Sequence, residues 1–212
     1  MTIRVESKAM SSTFAAMDAA ELAKRYADWA ETYDAENAAA GFRMPQLCSA
    51  FFARHVPVGC KPILDAGCGT GLAGDCLRVL GYNNIVGIDL CDAMMARAER
   101  TGAYEALHRM VLGERLDFPD RSFAAAIISG VFTEGHAPPA SFDELTRVGR
   151  PGAHLVFNVR QDVYENNGFR EKQDALEREG RWRLRERSEP FRPFTIKEPD
   201  IRATIFVYQV VD

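Results

Sequence analysis

The chain has 212 residues, of which 47% are hydrophobic and 26% are charged. This composition is ordinary for a folded globular protein and excludes disordered, collagen-like and fibrous classes. The formal net charge of −4 disfavours non-specific binding to nucleic acid or to anionic membrane, because such binding needs a basic surface.

The five cysteines are odd in number, and no two of them form a Cys-x-x-Cys pair. We therefore expect reduced thiols, no disulfide framework and no metal site. No run approaches the roughly 20 apolar residues that cross a bilayer, so we expect a cytoplasmic protein without a membrane partner. We expect residues 1–12 to be a flexible leader and residues 13–212 to form a single domain.

The N-terminal part reads as helical. Tyr26, Trp29 and Tyr33 are spaced three and four residues apart within a predicted helix over 14–40, which places their rings on one face. A second amphipathic helix is predicted over 44–56, with Pro45 near its first turn. We expect residues 13–60 to form a helical lid over a core made by residues 61–212.

From residue 61 onward, short apolar runs alternate with helical patterns, as in a parallel sheet with crossover helices. The predicted strands are 61–65, 84–90, 109–112, 123–129, 154–159, 182–186 and 202–210. The predicted helices are 72–80, 93–100, 141–148 and 168–179. The last two strands have no helix between them, which predicts an antiparallel pair. The fold class is therefore α/β, a Rossmann-like sheet of seven mostly parallel strands with an antiparallel last strand.

A glycine-rich turn follows the first predicted strand and precedes a helix. Such a turn lets the backbone approach a ligand closely while the helix N-terminus faces it. Gly69-x-Gly71-x-x-Gly74 fits a dinucleotide-binding fingerprint, and Asp89 lies 20 residues beyond Gly69, where an acid would accept the ribose hydroxyls. A nicotinamide-dependent oxidoreductase is therefore one hypothesis.

Asp65 at the end of the first strand favours a different ligand. A pyrophosphate beside Asp65 would meet a like charge, whereas a ligand that carries an ammonium would meet a partner. S-adenosylmethionine has an amine, a sulfonium and a ribose but no phosphate. Asp65 near the amine and Asp89 at the ribose would then act together.

Two stretches resemble a known family. Leu64-Asp-Ala-Gly-Cys-Gly-Thr-Gly71 and Gly87-Ile-Asp89-Leu-Cys-Asp-Ala-Met94 look like the first two motifs of class I methyltransferases that use S-adenosylmethionine. The more particular segments resemble the methyltransferase-like family named after the Williams-Beuren syndrome chromosome region. They are Tyr26-x-x-Trp29-Ala-x-x-Tyr33-Asp34, Phe42-Arg43-x-Pro45, Thr133-Glu-Gly-His136-Ala-Pro and Glu144-Leu-x-Arg-Val-x-Arg-Pro151-Gly152.

The resemblance implies cofactor contacts position by position. Gly67, Gly69 and Gly71 would line the methionine and ribose, with Ser129 at the end of the fourth strand also in the site. Leu90 and Met94 would cover the adenine. Many class I enzymes carry an Asp after the third strand, whereas this chain has Leu112, Gly113 and Glu114 there, so backbone N–H groups or Glu114 would take that role. Tyr26 or Tyr33 would border the methionine, and Arg43 would pair with its carboxylate.

The candidate for catalysis is His136, which follows the fourth strand on a loop that faces the acceptor in such folds. Methyl transfer is an in-line displacement that needs alignment, and a base only where the acceptor must lose a proton. We expect a small or medium-sized acceptor, with S-adenosylhomocysteine as the second product. Two alternatives stay open at this point, the nicotinamide oxidoreductase and a non-catalytic protein that binds S-adenosylmethionine.

Overall fold

The computed structural model describes residues 18–211. The predicted leader and the first residues of the predicted helix over 14–40 lie outside this range. Between residues 18 and 60 the structure has three helices: α1 (Ala19–Trp29), α2 (Tyr33–Ala40) and α3 (Met44–His55). The predicted helix over 14–40 is therefore interrupted, because the chain turns between Trp29 and Tyr33.

Local chemistry accounts for these helix ends. The Asp18 side chain caps α1 by accepting the Glu21 N–H at 2.8 Å. Helix α2 ends at Gly41, whose φ of +74° is the left-handed conformation that favours glycine at this position. Pro45 in the first turn of α3 agrees with the prediction.

The remaining elements alternate between strands and helices. The strands are β1 (Ile63–Ala66), β2 (Ile85–Asp89), β3 (Tyr104–Arg109), β4 (Phe123–Phe132), β5 (Gly149–Arg160), β6 (Trp182–Arg187) and β7 (Ala203–Val210). The helices are α4 (Leu72–Val79), α5 (Asp92–Thr101), α6 (Ser141–Val148), α7 (Gln161–Asn166) and α8 (Phe169–Arg178).

All seven strands form one sheet in the order β3-β2-β1-β4-β5-β7-β6. Strands β1 to β5 pair in parallel, and β7 is antiparallel to both β5 and β6. This arrangement confirms the predicted Rossmann-like sheet and its antiparallel last strand. The strand order reverses between β1 and β4, and such a switch point opens a crevice at the carboxyl ends of the strands.

The sequence prediction was wrong for the third strand. The structure places β3 at Tyr104–Arg109, whereas the prediction was 109–112. An edge strand needs little apolar character, and most residues of β3 are partly or fully exposed. The apolar run Met110, Val111 and Leu112 lies beyond the strand and lines a cavity. Helix α7 was also missed.

Two apolar clusters cover the two faces of the sheet. One includes Phe142 and Trp182 and packs the sheet against α6 and α8. The other includes Phe52 and Leu77 and packs the sheet against α3 and α4. Within residues 18–211, no helix is long and apolar enough to cross a membrane.

Candidate functional site

A cavity of about 450 Å³ lies at the switch point between β1 and β4. Its size is in the range of small-molecule and cofactor sites. Its described lining comes from α1, the glycine turn, the end of β2, the loop after β3 and the loop after β4. These residues are Asp18, Ala19, Leu22, Tyr26, Tyr33, Gly67, Gly69, Ile88, Asp89, Leu90, Met94, Met110, Val111, Leu112, Gly113, Glu114, Ser129, Gly130, Val131, Gly135, His136, Ala137 and Pro138.

The glycine turn borders this cavity with backbone rather than side chains. Gly67 and Gly69 line it and have φ values of +78° and +54°, in the region that favours glycine. A Cβ at Gly67 would lie 2.4 Å from Val131, whereas a Cβ at Gly69 would meet no described atom within 4 Å. Gly71 is not in the lining, because it begins α4 and packs against the backbone of Ala98.

Asp89 joins the end of β2 to the glycine turn. Its carboxylate accepts the N–H of Gly69 at 2.9 Å and the N–H of Cys91 at 2.9 Å. Burial raises the pKa of Asp89, and these two backbone N–H groups oppose the rise. Each carboxylate oxygen retains a second lone pair, so Asp89 can also accept hydroxyl groups from a ligand in the cavity.

Asp65 is fully buried beneath the turn and is not in the cavity lining. The Tyr104 hydroxyl donates to Asp65 Oδ2 at 2.7 Å. Burial raises the pKa of Asp65 to about 7, and the Tyr104 hydrogen bond works against this rise. A direct contact from Asp65 to a ligand amine therefore stays a prediction.

The predicted adenine contacts all belong to the lining of the large cavity. Leu90, Met94, Leu112, Gly113 and Glu114 all line it. Sequence reasoning missed Met110 and Val111, which also line it, because it assigned part of this run to a strand.

Helices α1 and α2 contribute to the lining of the large cavity and contact the core directly. The ring of Tyr26 stacks on Trp29 at 6.1 Å between centroids, and Trp29 meets Tyr33 edge-on at 4.7 Å. The predicted clustering of these rings is confirmed, although the chain turns between Trp29 and Tyr33. The Thr70 hydroxyl of the glycine turn donates to Asp34 at 2.6 Å, which joins α2 to the core.

His136 lies in the cavity wall and bonds to the N-terminal segment. Its Nδ1 is 2.7 Å from the Glu134 carbonyl oxygen, and its Nε2 is 2.8 Å from the Tyr26 hydroxyl. A carbonyl only accepts, so Nδ1 carries the proton in the neutral ring and Nε2 accepts from Tyr26. Burial lowers the pKa of His136, which keeps the ring neutral near pH 7.

Arg43 is exposed and lies outside the lining of the large cavity. Its guanidinium donates to the Arg192 carbonyl at 3.1 Å. The structure therefore does not bring Arg43 to the large cavity, and its contact with a methionine carboxylate remains a prediction.

A smaller cavity of about 70 Å³ adjoins the first. Tyr26, Tyr33 and Gly130 line both cavities, so they form the boundary between them. The rest of its described lining is Trp29, Asn37, Phe42, Met44, Phe132, Thr133, Asn158, Arg160, Pro193, Phe194, Ile201 and Ala203. No motif in the sequence pointed to Pro193, Phe194 and Ile201, which come from the loop between β6 and β7.

Comparisons with known proteins agree with this geometry. Residues 64–157 match the family model described as a methyltransferase domain. The chain is 30% identical over 171 residues to methyltransferase-like protein 27 of Homo sapiens, covering 78% of this chain and 69% of that protein.

Two solved structures share the fold. One is a TehB-like S-adenosylmethionine-dependent methyltransferase from Corynebacterium glutamicum, with a TM-score of 0.61 and 20% identity over 88% of this chain and 98% of that chain. The other is a chain of the complex between the Haloferax volcanii Trm112 methyltransferase activator and a methyltransferase, with a TM-score of 0.66 and 16% identity over 90% of this chain and 97% of that chain.

These comparisons give no support to a nicotinamide-dependent oxidoreductase. The domain match and the human relative both indicate a methyltransferase. The chain belongs to the class I S-adenosylmethionine-dependent methyltransferases.

Proposed function

We propose that the large cavity binds S-adenosylmethionine and that the enzyme transfers its methyl group in line to a small or medium-sized acceptor. The observation that carries this proposal is the charge of the cavity wall. Its described lining includes the carboxylates Asp18, Asp89 and Glu114 and contains no Lys or Arg. Such a wall suits a cationic ligand and disfavours a pyrophosphate.

The shape of the wall supports the same ligand. The backbone of Gly69 leaves open space where a side chain would project, and Asp89 offers carboxylate oxygens beside it. Leu90, Met94 and Leu112 supply apolar surface for a planar base. A ligand with a ribose between a cationic chain and an aromatic base fits this distribution of polar and apolar groups.

When bound, S-adenosylmethionine supplies an activated methyl group on a sulfonium and leaves as S-adenosylhomocysteine. The residues of this chain have two tasks, to orient the acceptor and to take its proton where it has one. Tyr26 and His136 suit the second task. An acceptor O–H or N–H proton passes to the Tyr26 oxygen while the proton of Tyr26 passes to His136 Nε2.

The N-terminal helices act as a lid in this proposal. Tyr26 and Tyr33 border the cavity, and the hydrogen bond from Thr70 to Asp34 closes the segment onto the glycine turn. A closed lid excludes water, which competes for hydrogen bonds around the reacting groups.

Titration calorimetry with S-adenosylmethionine and with NAD⁺ tests the proposal. We expect binding of S-adenosylmethionine and S-adenosylhomocysteine and no measurable binding of NAD⁺. Binding of the dinucleotide alone would overturn the proposal. Turnover with an acceptor panel then separates the enzyme from a protein that only binds the cofactor.

A further inference from the structure

The small cavity beyond Tyr26 and Tyr33 has a mostly apolar lining with a few polar side chains. Most of its lining is aromatic or aliphatic, including Phe42, Phe132 and Phe194. Its volume of about 70 Å³ holds on the order of five water-sized groups. This room suits the reacting end of a molecule rather than a whole cofactor.

Two polar atoms in residues that line this cavity lack a partner among residues 18–211. Trp29 Nε1 and Thr133 Oγ1 are both buried and make no hydrogen bond within this described part of the chain. Trp29 is only 4% exposed, so bulk water does not compensate its N–H. Buried polar groups are nearly always hydrogen-bonded, because an unpaired buried group has lost its hydration without a replacement. An indole N–H can only donate, so its hydrogen-bond partner must be an acceptor.

The only charged side chain in the described lining is Arg160. Its guanidinium bonds to Asp162 and lies 3.4 Å from Glu134. Two carboxylates thus already compensate this cation, and an anionic ligand would meet their repulsion. An ammonium would lose its hydration in this mostly apolar cavity and would meet no carboxylate in the described lining. The cavity therefore suits a neutral ligand.

We propose that this cavity is the acceptor subsite, and that it takes a neutral, largely apolar acceptor whose carbonyl or ether oxygen accepts hydrogen bonds from Trp29 and Thr133. The inference rests on the proposed function, because the acceptor has to meet the methyl donor at the boundary formed by Tyr26, Tyr33 and Gly130. Tyr26 lines both cavities and bonds to His136, so an acceptor hydroxyl or N–H at this boundary has a route for its proton.

The two tryptophans of the chain allow a direct test. The Trp182 indole N–H is buried and donates to the Gln173 carbonyl at 3.1 Å, so it is an internal control. Protein with ¹⁵N-labelled tryptophan, saturated with S-adenosylhomocysteine, gives one indole signal for each residue. Trp29→Phe assigns the two signals. The probes are benzamide, benzoate and benzylamine, which have similar size and differ in charge.

We expect benzamide to shift the Trp29 indole proton downfield and to leave the Trp182 signal in place. Thr133→Val, which keeps the side-chain shape, is expected to weaken benzamide binding about three- to tenfold, as loss of one hydrogen bond does. Benzoate and benzylamine are expected to bind at least tenfold more weakly than benzamide.

The outcomes distinguish the two proposals. If S-adenosylhomocysteine binds but benzamide leaves the Trp29 signal unmoved up to its solubility, the acceptor subsite is overturned and the cofactor site stands. Equal binding of all three probes, or unchanged benzamide affinity in Thr133→Val, also overturns the inference. If S-adenosylhomocysteine does not bind, the proposed function falls and the inference falls with it.

Discussion

The Tyr26 hydroxyl donates to Nε2 of His136 across 2.8 Å, and this bond joins helix α1 to the loop after β4. The two rings meet edge to face, with centroids 5.7 Å apart. The Glu134 carbonyl holds the opposite ring nitrogen, which fixes the tautomer that can accept a proton from Tyr26.

This pair predicts how activity depends on pH. Burial lowers the pKa of His136 below its usual value of about 6.5. The ring therefore becomes protonated, and can accept no further proton, only when the pH falls below this lowered pKa. We expect methyl transfer to an O–H or N–H acceptor to fall as pH falls through this depressed pKa and to be level above it. NMR titration of the imidazole C–H signals measures the pKa without an acceptor.

The variants Tyr26→Phe and His136→Gln keep side-chain size but break the proton route. We expect each to lower kcat by about a hundredfold, the scale of general-base catalysis, and to remove the acidic limb of the pH profile. Affinity for S-adenosylhomocysteine should change by only a few-fold. Unchanged turnover in both variants would show that the pair carries no proton.

Gly69→Ala is predicted to block the cofactor without unfolding the protein. The new methyl group meets no described protein atom within 4 Å, and Gly69 lines the large cavity, so the methyl group enters ligand space. The φ of +54° costs a side chain about 1 kcal/mol. We expect a modest loss of stability in thermal unfolding and loss of S-adenosylmethionine binding in calorimetry.

Gly180→Ala is the matched control. Gly180 also has a positive φ, of +71°, and open space around its Cβ position, but it lies in the turn between α8 and β6, outside both cavity linings. We expect a similar loss of stability and no loss of binding. Equal binding in both variants would place the ligand away from the glycine turn.

Asp65→Asn is predicted to change how stability depends on pH. The pKa of Asp65 is about 7 in the folded protein and about 3.9 in an unfolded chain. Between these values the folded state holds a proton that the unfolded state releases. The free energy of unfolding therefore falls as pH rises through this window, by up to about 1.4 kcal/mol per pH unit.

The Asn side chain keeps an oxygen for the Tyr104 hydroxyl and does not titrate, so the variant should lack this contribution. Denaturant unfolding of both proteins at about pH 5 and about pH 7.5 measures the difference. We expect the variant to gain stability relative to the wild type at the higher pH. An equal change in both proteins would mean that Asp65 is ionised throughout this range.

The sequence predicts the buried half of this fold well. Strands β1, β2 and β4 and the second half of β5 are mostly apolar because both faces of the parallel sheet are covered, and such runs can be recognised from the sequence. Strand β3 is different, because an edge strand carries polar side chains. The apolar residues that follow β3 line the large cavity instead of belonging to the strand. A prediction based on hydrophobicity therefore placed the third strand too far along the chain.

The candidate site also has a part that the sequence predicts and a part that it does not. Gly67, Gly69 and Asp89 follow from a local motif, because one turn sets their positions. The small cavity does not follow from any motif, since its walls come from α1, the end of β4 and the loop before β7. Tertiary packing brings Trp29 and Thr133 to the same cavity, and their separation in the sequence does not predict this.

The cofactor site is tested by the affinity of the wild type and of Asp89→Asn for S-adenosylhomocysteine, measured by titration calorimetry. Asp92→Asn is the control, because this nearby carboxylate is exposed and outside the large cavity. We expect binding by the wild type, an unchanged affinity in Asp92→Asn, and a loss of about thirtyfold or more in Asp89→Asn, which is about 2 kcal/mol. Absence of binding by the wild type, or equal affinity in all three proteins, would show that S-adenosylmethionine does not bind at Asp89.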